Sequence, residues 1–119
     1  MLPNNNLVLN AVPATTNVNS VAQWSDKIIR ASFMVFSTNA GDTGNIQLQT
    51  SNDFPVGLPA NQFQPSHWTN LGSPVVIVGG GTAMVTYQEL CYEYLRIVFT
   101  STNGAATGFI TVRMKSDGL

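Results

Sequence analysis

The sequence predicts an all-β protein: an antiparallel β-sandwich, jelly-roll-like, of about eight strands. Three observations carry that expectation. Runs rich in aromatic and β-branched residues recur with a period of two, turn residues punctuate them at intervals of about 8 to 12 residues, and hardly any stretch reads as helix. No fixed-period repeat is present, which excludes solenoids and propellers.

In chain order, residues 1 to 6 form a polar lead-in, expected as an N-terminal arm ahead of a single domain spanning residues 7 to 119. Leu7 to Val12 is a first short strand, stopped by Pro13, which has no N–H to give a ladder. Thr15 to Trp24 alternates weakly through Val18 and Val21, and Ser25-Asp26 marks a turn or the start of a helical turn. Lys27 to Ser37 sets Ile29, Ala31, Phe33 and Val35 on one face. Ile28, Arg30, Ser32, Met34 and Phe36 fall on the other. Both faces are partly apolar, the signature of a strand in mid-sheet. Asn39 to Gly44 is a turn by composition, expected as a tight hairpin, and Asn45 to Ser51 alternates with Ile46 and Leu48 inward and Gln47 and Gln49 outward.

Residues 52 to 66 contain Pro55, Gly57, Pro59 and Pro65 and read as a long surface loop, a feature uncommon in compact domains unless it serves a purpose. His67 to Leu71 and Pro74 to Val78 are short strands on either side of Gly72-Ser73. Gly79 to Gly81 then serves as a hairpin turn into Thr82 to Gln88. The last third reads as a terminal hairpin: Leu90 to Thr100, a turn carrying Asn103-Gly104, and Gly108 to Lys115. Setting Thr102 opposite Thr107 pairs Phe99 with Ile110, Ile97 with Val112 and Leu95 with Met114 as one apolar face. The same register sets Arg96 opposite Arg113 on the outer face.

Composition narrows the function classes. With 119 residues the chain is one domain, long enough to bury about two thirds of the surface its unfolded form exposes. Only 9% of residues are charged while 44% are hydrophobic, which excludes disorder and implies outer faces that are polar but uncharged. Five basic residues against six acidic ones make no phosphate-tracking stripe, so no nucleic-acid partner is expected. No run approaches the ~20 apolar residues of a membrane helix, and no basic leader precedes an apolar core, so no membrane partner is expected and synthesis is expected in the cytoplasmic fluid. The single cysteine, Cys91, excludes an intramolecular disulfide and suits a small core residue.

Reactive groups are sparse. Asp42-Thr43-Gly44 is similar to the triplet of dimeric aspartic proteases, but Asn39-Ala40-Gly41 precedes it where that family has apolar residues. Gly79 to Thr82 lacks the lysine of a phosphate loop. One histidine, His67, one cysteine and six scattered acids contain no metal-ligand spacing. The expectation is no enzyme and no cofactor. Two constellations remain. Trp68, Tyr92 and Tyr94 are candidates for a glycan-stacking platform with Asn52 and Asp53 as polar partners, against the reading that Trp24 and Trp68 fill the core. Arg96 and Arg113 are like charges that either an acid such as Asp53 or Glu93 relieves or a partner's carboxylates engage.

Gln49-Thr-Ser-Asn-Asp53, His67-Trp-Thr-Asn-Leu71, Tyr92-Glu-Tyr-Leu-Arg-Ile-Val98 with Thr100, and Gly108 to Lys115 together resemble small β-sandwich virion proteins of tailed bacteriophages. The order is also loosely similar to discoidin-like lectin sandwiches. The resemblance spans about residues 44 to 115, while the Pro-rich insert 54 to 65 and the tail 116 to 119 depart from it. It implies a decoration, cement or head-fibre type component on the capsid exterior, a homo-oligomer with the trimer favoured, bound to the major capsid protein. Leu2, Asn4, Asn5 and Asn6 of the arm and the 52 to 66 loop are then the expected protein-contact elements, with Arg96 and Arg113 as a charged contact. A carbohydrate-binding or host-attachment module of a phage tail or fibre is the alternative. A dimeric aspartic protease stands third.

Overall fold

The computed structural model describes residues 4–20, 22–24, 28–53, 57, 59, 64–77, 79–88, 90 and 92–118. Among them there is no helix, and nine strand segments run in the order β1 (Asn4–Pro13), β2 (Val18–Asn19), β3 (Gln23–Trp24), β4 (Ile28–Ser37), β5 (Gly44–Ser51), β6 (Thr69–Ile77), β7 (Thr82–Tyr87), β8 (Tyr94–Ser101) and β9 (Phe109–Gly118). Sheet A has the order β1-β9-β4-β7, and sheet B the order β2-β8-β5-β6, with β3 also paired to β8. β2 and β3 act as one interrupted strand, which leaves eight strand positions. All pairings are antiparallel, and the order is that of a jelly roll.

The period-two alternation read in the sequence decides which side chains are buried. Ala31, Phe33 and Val35 of β4, Ile46 and Leu48 of β5, Leu95, Ile97 and Phe99 of β8, and Ile110, Val112 and Met114 of β9 all lie in the core between the sheets. β4 is flanked by β9 and β7, in mid-sheet as its two partly apolar faces require.

Three expected connections turn out differently. β8 and β9 do not form a hairpin. β8 pairs with β5, setting Arg96 opposite Gln49, and β9 pairs with β1 and β4, setting Arg113 between Leu7 and Met34. The two apolar faces meet across the sandwich instead of lying side by side in one sheet, and the 102–108 segment makes the crossing of about 10 Å between sheets. Asn39 to Gly44 and Gly79 to Gly81 are likewise crossings, because β4 and β7 belong to sheet A while β5 and β6 belong to sheet B. The physical reason is common to all three. A run with one apolar face is satisfied equally by a neighbour in its own sheet or by a facing sheet, and burying eight such faces at once favours the second.

Other details refine the reading. Residues 69 to 77 form one strand with a bulge, where the register with β5 jumps from Ile46↔Val75 to Leu48↔Leu71 and Gly72 takes a φ of 70°. β1 has irregularities on either side of Leu9; Ala11 has a φ of 49° and its N–H donates to Thr111 Oγ1 at 3.2 Å. Pairing in β1 begins at Asn4, opposite Ser116, so Asn4, Asn5 and Asn6 belong to the edge of sheet A and not to a separate arm. Leu2, Cys91, Ser25, Asp26 and most of the 54 to 65 insert lie outside the described residues.

Candidate functional site

Sheet A carries an outward face built by register. Leu7 of β1 sits opposite Arg113 of β9, Arg113 opposite Met34 of β4, and Met34 opposite Met84 of β7, so one row crosses all four strands. Leu7 is 46% and Met84 66% exposed. The next row runs Asn5, Lys115, Ser32 and Thr86. Between them lies a shallow groove of about 510 Å³ lined by Leu7, Ser32, Met34, Met84, Arg113 and Lys115. Phe109, also exposed, extends the apolar surface toward one end of β9. At the other end Arg30 is neutralised by an ion pair with Asp117. The result is an apolar band with Arg113 inside it and Lys115 in the row beside it. Arg113 and Asn5, two of the residues expected as protein contacts, fall on adjacent register rows of sheet A. Met34 and Met84 are additions that reading the chain did not bring together.

Arg96 is on the other sheet. Its Nε donates to Gln49 Oε1 at 2.7 Å, and its guanidinium carbon lies 4.4 Å from the centroid of the Trp68 ring. Partial burial there lowers the Arg96 pKa from its ordinary value. The like-charge conflict with Arg113 does not arise, because the two residues lie on different sheets, and Arg96 is engaged by an amide and an aromatic face rather than by Asp53 or Glu93. Trp68 is half-buried, so it is no core residue, and its indole N–H donates to Pro65 O at 3.0 Å. Its ring carries Arg96, which takes one face from any sugar. Tyr94, flanked in register by Ser51 and Trp24, is 1% exposed and offers no platform at all. Tyr92 is half-buried and lines a cleft.

That cleft, of about 490 Å³, lies where β5 ends and β6 begins. Asp53 organises it. Its Oδ2 accepts the backbone N–H of Ser66 at 2.9 Å and of His67 at 3.1 Å, tying together the two ends of the long loop. Those two N–H groups hold the Asp53 pKa below the ordinary carboxylate value. His67 Nδ1 lies 3.3 Å from Asp53 and 3.2 Å from Ser66 Oγ. Aspartate, histidine and serine therefore meet, but not as a triad. A relay needs the carboxylate and the hydroxyl on opposite ring nitrogens, and here both address Nδ1.

Because the folded-state pKa of Asp53 lies below its unfolded value, the stability it contributes is present above about pH 4 and is lost as pH falls through its folded pKa. Asp53→Asn is expected to flatten the acid side of the stability profile. Urea midpoints between about pH 2 and pH 6 measure this, and identical acid limbs in the two proteins would contradict it.

Asp42 of the Asp-Thr-Gly triplet is fully buried in the crossing between β4 and β5, where its oxygens accept from Asn39 N, Thr38 Oγ1 and Gly108 N. It is a structural clamp within the chain. Among the described residues no three His, Cys, Asp or Glu side chains converge as metal ligands, and no helix is long and apolar enough to cross a membrane.

No protein-family model matches the chain, and no curated protein matches it. Seven solved chains do match. One, a subunit of the disulfide-linked pili that form Bacillus endospore appendages, is 15% identical, covers 99% of this chain and 88% of its own, and superposes with a TM-score of 0.53. At that identity the likeness is one of fold: this chain is an all-β sandwich of two packed antiparallel sheets.

Proposed function

We propose that the protein is a non-enzymatic structural subunit of a tailed-phage virion, which binds the outer capsid surface as a homo-oligomer and decorates or stabilises it through the outward face of sheet A. The observation that carries this reading is the row Leu7, Arg113, Met34 and Met84. Exposed Leu7, Met84 and Arg113 grouped with half-buried Met34 on one sheet face, with Ser32 and Lys115 beside them, are what a protein contact requires. Methionine adapts to an imperfectly matched partner, and an arginine amid apolar neighbours is the residue type enriched at contact centres. β1 is at the edge of sheet A beside this row, so a neighbouring subunit's strand can extend the sheet there. The motif resemblance to phage virion sandwiches supplies the assembly, and a subunit of the same fold that is built into pili is consistent with service in a repeating array.

Many symmetry-related contacts multiply a modest single affinity, so particle binding is a sensitive readout. Met84→Asp and Arg113→Glu, both at exposed positions, are expected to weaken attachment to purified particles by about 30-fold each, the size of a contact hot spot, without lowering the melting temperature. Cosedimentation with shells that lack the protein measures it. Undiminished attachment by both variants would overturn the assignment of this face. A copy number of a few per particle, where a decoration protein is present in hundreds, would overturn the role.

A further inference from the structure

We propose that the cleft at the end of sheet B is a binding site for a neutral carbohydrate, a mono- or disaccharide portion of a glycan, held by Asn52, Asp53, His67, Thr69, Asn70 and Tyr92. It lies on the sheet opposite the proposed assembly face and is independent of it.

A sugar hydroxyl both donates and accepts, so its recognition needs donors and acceptors already fixed in place. The cleft has both. Asn52 Oδ1 accepts Glu93 N at 3.1 Å and Asn70 Oδ1 accepts Gln49 Nε2 at 2.9 Å. Each amide is thereby oriented with its oxygen committed to the protein, and its NH2 is the group left for a ligand oxygen. Asp53 is held by two backbone N–H groups on Oδ2, and its Oδ1 is an acceptor oriented by that clamp. A charged acceptor makes stronger hydrogen bonds to hydroxyls than a neutral one. With Nδ1 of His67 turned to Asp53 and Ser66, the opposite ring nitrogen belongs to an imidazole that is 85% exposed. The exposed Thr69 adds a hydroxyl, and the half-buried Tyr92 gives the cleft an aromatic wall for the C–H face of a pyranose.

Size and charge select the ligand class. A volume of about 490 Å³ falls within the range of small-ligand sites. The carboxylate of Asp53 in the cleft disfavours phosphate, sulfate and uronic or sialic acids, and among the described residues no three His, Cys, Asp or Glu side chains converge to hold a metal ion that would bridge to such a group. Preformed amide donors alternating with a carboxylate acceptor over an aromatic side chain fit a neutral ring bearing adjacent hydroxyls. The site keeps Tyr92, Asn52 and Asp53 of the platform expected from the sequence, drops Trp68 and Tyr94, and adds His67, Thr69 and Asn70.

The test is a glycan array probed with the intact protein, followed by calorimetric titration with the best ligand. Neutral hexose or N-acetylhexosamine glycans are expected to bind, with the affinity falling about tenfold in Asn70→Ala and in Tyr92→Ala, the loss of one well-made contact. Asn70 is exposed, so its variant keeps the wild-type melting temperature and still attaches to particles. That separates failure of this site from failure of the assembly face. No neutral glycan above background, preference for acidic glycans, or binding that survives both substitutions overturns the proposal.

Discussion

Asp42→Ala is expected to lower the unfolding free energy by about 3 kcal/mol and the melting temperature by about 12 °C. The carboxyl is fully buried, and each oxygen holds a different part of the molecule. Oδ1 accepts Gly108 N at 2.9 Å, and Oδ2 accepts Asn39 N at 2.9 Å and Thr38 Oγ1 at 3.3 Å. Thr38 Oγ1 in turn accepts Phe109 N at 3.0 Å. One side chain therefore closes the β4–β5 crossing and pins the first residues of β9 to it. Alanine would leave the buried N–H of Gly108 without an acceptor, which is the costly half of losing a hydrogen bond. Asp42→Asn is expected to destabilise by a similar amount despite its matching shape. Whichever way the amide is turned, its NH2 faces an N–H donor where an acceptor is needed. Thermal denaturation followed by circular dichroism measures both. An Asp42→Asn protein as stable as wild type would show that the clamp is not what joins the two crossings, and would reopen a chemical role for the triplet.

That clamp also marks where sequence reading stops. Period-two alternation fixes which face of a strand is buried, and it placed Leu95, Ile97, Phe99, Ile110, Val112 and Met114 inward as found. It does not say which strand lies alongside. Asn103-Gly104 suits a hairpin turn, yet Asn103 Nδ2 donates to Gly41 O, Asn39 Nδ2 to Thr107 Oγ1, and Thr102 N to Thr43 O. These bonds stitch two sheet crossings to each other over sequence separations of about sixty residues, and no local signal encodes them. Function was legible to the same depth. Arg113 is readable as an outward charge, and Met34 as a residue on the face of its strand opposite Phe33 and Val35. Their union with Leu7 and Met84 in one row needed the register of four strands. Asp53 and His67 each stand out in the sequence, but their meeting across the long loop depends on the loop's two ends returning to the same point, which composition does not specify.

Phe99→Ala is expected to have the larger effect, a loss of about 4 kcal/mol and about 16 °C in melting temperature. Phe99 is fully buried in β8, and its ring lies over Gly44 at the start of β5. A Cβ built on Gly44 would come within 2.6 Å of that ring and would also press on the Thr100 carbonyl. Absence of a side chain at Gly44 is therefore what lets the ring settle onto the backbone of the neighbouring strand. Gly44→Ala should cost about 3 kcal/mol, because the obstacle on one side is a rigid ring and on the other is main chain. In the double variant Gly44→Ala with Phe99→Leu, removing the ring relieves the first obstacle but not the second. The two changes should then cost about 1 kcal/mol less together than their sum, a coupling that reflects contact. Full rescue would mean that the Thr100 carbonyl yields freely, whereas strict additivity would mean that the ring does not rest on Gly44 and that β5 and β8 pack differently at this end of the sandwich.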